Sequence, residues 1–144
     1  MSIVSPQLRW VAVLAVALGA AWAVTAWPRL NEVETGRTPE YPDLQVRTYP
    51  APPDRVAEAL KQALARRPRW TVVGSGTGPG GTVVSAVHET RVFRLEDDVT
   101  VRIRRRDGAT TVSVRSQSRV GSWDFGQNAR NVRELLAALD AELG

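Results

Sequence analysis

The sequence predicts an α+β protein: an apolar N-terminal helix, then one antiparallel sheet packed against two helices. Three observations carry this. Trp10–Trp27 is eighteen residues without a charge. An Asp107-Gly108 pair sits between two runs that alternate apolar and polar residues. Val132, Leu136, Leu139 and Leu143 recur at spacings of four and three near the C-terminus, the period of one helical face.

The chain has 144 residues and a net charge of +4, and it holds no cysteine and one histidine. That is room for one domain of about 100 residues beside the apolar span. The missing cysteines exclude disulfides, thiolate metal sites and cysteine nucleophiles. With His88 as the sole imidazole, no His-rich metal site can be built, and neither a metal nor a cofactor is expected. Eighteen arginines and one lysine face fifteen acids. Only Arg102, Arg104, Arg105 and Arg106 cluster, too small a basic footprint for a nucleic-acid partner.

Residues 1–9 form a short tail, and 10–27 are expected to cross a membrane once. About 20 apolar residues span a bilayer, and Trp10, Trp22 and Trp27 lie near the ends, where indole rings favour the headgroups. A cleaved signal peptide is the competing reading, since Ala21-Trp22-Ala23 and Val24-Thr25-Ala26 both fit cleavage spacing. The length of the run favours a retained anchor in the inner (plasma) membrane, and the length of the domain that follows favours placing it on the periplasmic side. Residues 28–43, with Gly36, Pro39 and Pro42 and no hydrophobic period, read as a linker. The exported domain is 44–144.

Within it, Leu44–Tyr49 alternates as a first strand. Pro52 and Pro53 open a helix that Asp54 favours and Pro68 ends. Trp70–Val73 is a short strand, and the glycine-rich run 74–81 a flexible connection; it lacks the Gly-Lys-Ser/Thr ending of a phosphate loop. Thr82–Phe93 and Leu95–Arg105 are further strands. Asp-Gly suits the two central positions of a type I′ hairpin. That register sets Ile103 opposite Val112 and Val101 opposite Val114, with Arg102 opposite Ser113, Arg104 opposite Thr111 and Thr100 opposite Arg115 on the other face. Phe125, Ala129, Val132, Leu136, Leu139 and Leu143 form the buried stripe of a final helix. The order is β-α-β-β-β-β-α, and a helix-grip arrangement, the last helix across a curved sheet, is one version of it.

The densest chemistry lies where the last strand runs into that helix, Arg115 to Arg130. Ser116 and Ser118 fall on the core side and need partners, because an unpaired buried hydroxyl is costly. Arg115 and Arg119 fall on the other side. Gly121 admits a conformation or close approach denied to other residues. Asp124 or Ser122 can cap the helix, and Asn128 stands one turn in. One reading is structural: Asp124 pairs with Arg119 or Arg91 and, with Gly121 and Gly126, locks the junction. The other is a ligand or partner site of Arg115, Ser116, Ser118, Arg119 and Asn128, suited to an anionic group. Asp97 and Asp98 point to opposite faces and make a poor chelate, so they read as a solvated strand start. His88 reads as a sheet residue, because no nucleophile is placed to use it.

The run Arg115-Ser116-Gln117-Ser118-Arg119-Val120-Gly121, followed by Asp124, Gly126 and Asn128, resembles the signature of a bacterial and plastid family, domain of unknown function 1499. Thr35–Asp43, Thr90–Phe93 and Asp97-Asp98-Val99 extend the resemblance over most of the exported chain. Trp123 departs from it, as does Glu32, which follows Asn31 where many members carry a cysteine. The resemblance implies an exported envelope domain and assigns no activity. The function expected is non-enzymatic: binding of a lipid, small amphiphile or membrane-protein partner. The alternatives are an accessory subunit of a larger integral complex, and a hydrolase whose site the sequence does not reveal.

Overall fold

The structure is a computed structural model that describes residues 5–144; the first four residues of the expected tail lie outside it. Helix α1 (Pro6–Ala26) starts at Ser5, buries no residue, and is long and apolar enough to cross a membrane or to serve as a signal sequence. The remaining elements are β1 (Glu32–Glu34), β2 (Arg47–Tyr49), α2 (Pro53–Ala65), β3 (Trp70–Gly78), β4 (Gly81–Glu89), β5 (Glu96–Arg106), β6 (Ala109–Ser118) and α3 (Gln127–Leu143).

All pairings are antiparallel, in the order β1-β6-β5-β4-β3, with β2 on the same edge of β6 further along. The central hairpin has the predicted register at every pair, from Thr100↔Arg115 to Arg106↔Ala109. Its turn residues, Asp107 and Gly108, take φ of 50° and 79°, as type I′ geometry requires. Alternation then decides the faces. Val99, Val101, Ile103, Val112 and Val114 are buried on one side, and α2 and α3 pack together across it. Val56, Leu60 and Leu64 of α2 meet Val132, Leu135, Leu136 and Leu139 of α3 in the same core. The helix-grip version is the one observed.

Four local expectations change. The stretch read as a linker contains β1, whose Val33 is fully buried opposite Ser116. The first strand is only Arg47–Tyr49, because the Leu44 carbonyl accepts from the Gly36 N–H and the Gln45 N–H turns back to Asp43. The glycine run is mostly strand: Gly74–Gly78 pairs with Gly81–Ser85 after a bulge at Val72/Gly74. An edge strand that presents little side chain to a core tolerates glycine. Strand β4 ends at Glu89 rather than Phe93, since Thr90 closes a loop by two bonds of 2.8 Å to Leu95. Those bonds take the place of ladder pairing.

Candidate functional site

The inward period that buries Val112 and Val114 carries Ser116 and Ser118 onto the same face at the end of β6. Asp124 lies three residues ahead of α3, the helix that covers them. Its Oδ1 accepts from the Gly126 N–H at 2.9 Å and its Oδ2 from the Asn128 N–H at 2.7 Å, a cap for donors that the first turn leaves unpaired. Gly126 takes φ 75°, and a Cβ there would lie 2.7 Å from Trp27, so both conformation and space select glycine. Gly121 has φ 84° with nothing near its missing Cβ; it serves conformation, not close approach.

The cap places Asn128, which is fully buried. Its Oδ1 accepts from Ser116 Oγ at 2.6 Å, and its Nδ2 donates to Ser118 Oγ at 2.8 Å and to the Asn31 carbonyl at 2.9 Å. One amide therefore joins α3, β6 and the chain entering β1. A turn later, Asn131 Nδ2 donates to Asp97 Oδ2 at 2.7 Å and to Ser116 Oγ at 3.2 Å, while its Oδ1 accepts from Gln127. The hydroxyls find the partners they need on the incoming helix. Asn131 was missed by sequence reasoning, although its i,i+3 spacing from Asn128 on an otherwise apolar face was the available signal.

Asp97 is not a solvated strand start. It is 1% exposed, and its carboxylate is held by Asn131. The expectation holds for Asp98, which points outward and takes Arg119 at 2.8–3.1 Å. His88 is a buried sheet residue tilted against Trp70, centroids 4.9 Å apart. Its Nδ1 lies 3.7 Å from Asp97, too far for a hydrogen bond.

The expected pairing of Asp124 with Arg119 or Arg91 does not occur. Backbone donors occupy both Asp124 oxygens, and Arg119 binds Asp98 and Glu96. Arg91 is exposed and makes no ion pair among the described residues. Arg115 is held by Glu32 through two bonds of 2.7 Å. These bonds pull the Glu32 and Asp98 carboxyls below their ordinary range and raise both guanidiniums. Two arginines expected to meet a ligand are thus already neutralised by strand neighbours.

An apolar cleft of about 530 Å³ lies beside the junction. Its walls are the 90–95 loop, Val120, Trp123 and Phe125; Asp97, Ser118, Asp124 and Gln127 supply its polar groups. The Trp123 and Phe125 rings stack at 4.2 Å, so Phe125, expected in the helical stripe, instead faces the cleft ahead of α3. Of the five residues expected to bind a ligand, only Ser118 lines it. Trp123 and the Val92-Phe93 pair are the functional candidates that sequence reasoning left unused; an apolar pair between Arg91 and Arg94 was the signal. A second groove, about 680 Å³, is polar and lies on the outer sheet face along Arg102, Arg104, Arg105 and Arg115. Glu34 and Glu32 pair with part of that basic row.

The apolar helix ends directly on the junction. The Leu30 carbonyl accepts from the Asp124 N–H at 2.8 Å, Asn31 Nδ2 donates to the Gly121 carbonyl at 3.0 Å, and Arg29 lies over the Trp123 ring at 5.2 Å.

Fold and junction define an α+β helix-grip domain, joined through its polar junction to an N-terminal apolar helix. The family model described as protein of unknown function (DUF1499) matches residues 24–139, and the chain belongs to that family. No curated protein matches. Among solved structures the chain is similar to TTHA0849 from Thermus thermophilus, at 19% identity over 78% of this chain and 96% of that one, TM-score 0.39. It is similar to CV1439 from Chromobacterium violaceum, at 12% identity over 78% and 97%, TM-score 0.43. CalU16 from Micromonospora echinospora matches at 15% identity over 69% and 73%, TM-score 0.41.

Proposed function

We propose that the protein is a membrane-anchored, non-enzymatic envelope protein whose exported domain binds one lipid or small amphiphile. A single observation carries the reading: the apolar cleft with a few polar groups on one side, set against the root of an apolar helix. Its volume of about 530 Å³ falls within the roughly 300–1,000 Å³ of small-molecule sites. In this reading Val120, Trp123, Phe125 and the 90–95 loop hold the acyl part. The carboxylate of Asp97 and the side chains of Ser118 and Gln127 face the polar part. Asp97 and Gln127 are both fixed by Asn131, so the polar end of the site is held in place before a ligand arrives. The reading is non-enzymatic because Ser116 and Ser118 both hydrogen-bond amide groups, not a base that would activate them.

The test is mass spectrometry of full-length protein purified in mild detergent. A copurifying amphiphile is expected near one per chain, reduced in Leu95→Trp, which fills the cleft from a half-exposed position and leaves the melting temperature close to the parent. Equal amounts in parent and variant would refute the cleft as the site. Copurification of an integral membrane protein without any small molecule would favour the accessory-subunit reading instead.

A further inference from the structure

The cleft has an outer rim of apolar side chains that nothing among the described residues covers. Phe93 and Val92 are 80% and 79% exposed at the tip of the loop between β4 and β5, and Val120 is 62% exposed. They are held there by construction, since the paired bonds between Thr90 and Leu95 close the loop at its base. Isolated exposed apolar residues need no explanation, but a contiguous group marks a contact surface. Arginines interleave with this group: Arg91 and Arg94 flank Val92-Phe93, and Arg29 and Arg130 stand beside Trp123 and Phe125.

Position selects the contact. The chain leaves α1 at Ala26 and is bonded to the rim by Leu30, four residues that reach at most about 14 Å. Trp27 itself lies against Gly126, and Trp22 packs on Trp27, as a headgroup-level belt would. The opposite end of the sheet, the Asp107-Gly108 turn, is ten residues further along β5, about 30 Å away, and carries arginines without exposed aromatics.

We infer that this rim is a second bilayer contact: Val92, Phe93, Val120 and Phe125 enter the boundary between headgroups and acyl chains, with the neighbouring arginines among the phosphates. The inference rests on reading α1 as a retained anchor. Apolar side chains with basic neighbours suit that boundary, where burial reaches about 5–10 Å. The cleft mouth then opens at headgroup level, so an acyl chain passes from the leaflet into the cleft without crossing water. The chemical class of ligand is accordingly a bilayer phospholipid or an amphiphile of similar shape.

The chain has no cysteine, so one introduced thiol reports one position. Full-length Val92→Cys, Val120→Cys and, as control, Asp107→Cys are labelled with a fluorophore and reconstituted into phosphatidylcholine–phosphatidylglycerol nanodiscs. Quenching by lipids brominated high on the acyl chain is expected to be severalfold stronger at 92 and 120 than at 107. Adding Phe93→Asp to Val92→Cys is expected to abolish most of the quenching at 92 with an unchanged melting temperature, since Phe93 makes no core contact. Protein that stays with the nanodiscs but shows equal, weak quenching at all three positions overturns the rim and leaves the anchor standing. Protein that does not stay with the nanodiscs overturns both. Only the lipid carries bromine, so a quenched label reports lipid and cannot report a protein partner.

Discussion

Asn128 and Asn131 convert a polar sequence into a closed junction. Asn128 makes three side-chain bonds while fully buried, so its removal leaves the Ser116 O–H without its acceptor and the Ser118 Oγ without its donor, while the Asn31 carbonyl keeps the Ser118 N–H. Each unsatisfied buried group costs about 1–3 kcal/mol. Asn128→Ala is therefore expected to lower the urea midpoint by an amount equivalent to about 1–3 kcal/mol, with the m-value unchanged. A neutral Asn128→Ala would show that water substitutes freely for the amide. The cap is a separate term: Asp124→Ala is expected to cost about 0.5–2 kcal/mol. Because Asp124 and Arg119 share no partner, the double change Asp124→Ala/Arg119→Ala should equal the sum of the singles to within about 0.5 kcal/mol. A coupling beyond that, read by chemical denaturation of all three variants, would restore the ion pair that the geometry denies. At this scale the sequence identified which residues matter but misassigned their partners. Periodicity says which face a serine or aspartate takes; it does not say whether a carboxylate will meet a guanidinium or a backbone N–H.

Among the elements, the β5–β6 hairpin was legible to the residue because turn chemistry and two alternating faces independently demanded one register. Val114→Asp would place a charge in a fully buried site and is expected to unfold the domain. Thr111→Asp, on the outer face, is expected to stay within about 1 kcal/mol; equal losses in circular dichroism melts would refute the face assignment. The short edge strands were less legible. Three residues of β1, Glu32-Val33-Glu34, carry too little alternation to stand out, and their strand character comes from β6, which they pair with. Three surface ion pairs set an acid limit. Arg115 holds Glu32 low, Arg119 holds Asp98 low and Arg133 holds Asp43 low, in each case chiefly through hydrogen bonding. A carboxyl depressed in the folded state contributes stability above its unfolded value, about 4, and loses it as pH falls through the folded value. Stability is thus expected to be flat from about pH 7 to 5 and to decline below about pH 4. Glu32→Gln should shrink that decline, and salt should shrink it further because these groups are partly exposed. An acid limb unchanged by Glu32→Gln would remove the pair from the account.

The whole molecule is organised along one axis, from apolar helix through polar junction to basic hairpin. The sequence announced the two ends, an uncharged run and an arginine cluster; it could not announce that the chain between them folds back so that Leu30 and Asn31 bond the start of α3. That fold-back makes the fate of α1 a question about the domain as well as about location. Cleavage after Ala23 or Ala26 would leave Leu30 and Asn31 in place but remove the helix they are rooted in. A retained α1, apolar along its length and with no buried residue, needs a bilayer to cover its surface on every side. Full-length protein is expected in membrane fractions, resistant to high salt and to carbonate and released by detergent, with the N-terminal peptide intact by mass spectrometry. A soluble form beginning near Val24 or Trp27 would show instead that α1 is a signal sequence, and the cleft would then have to take its ligand from solution.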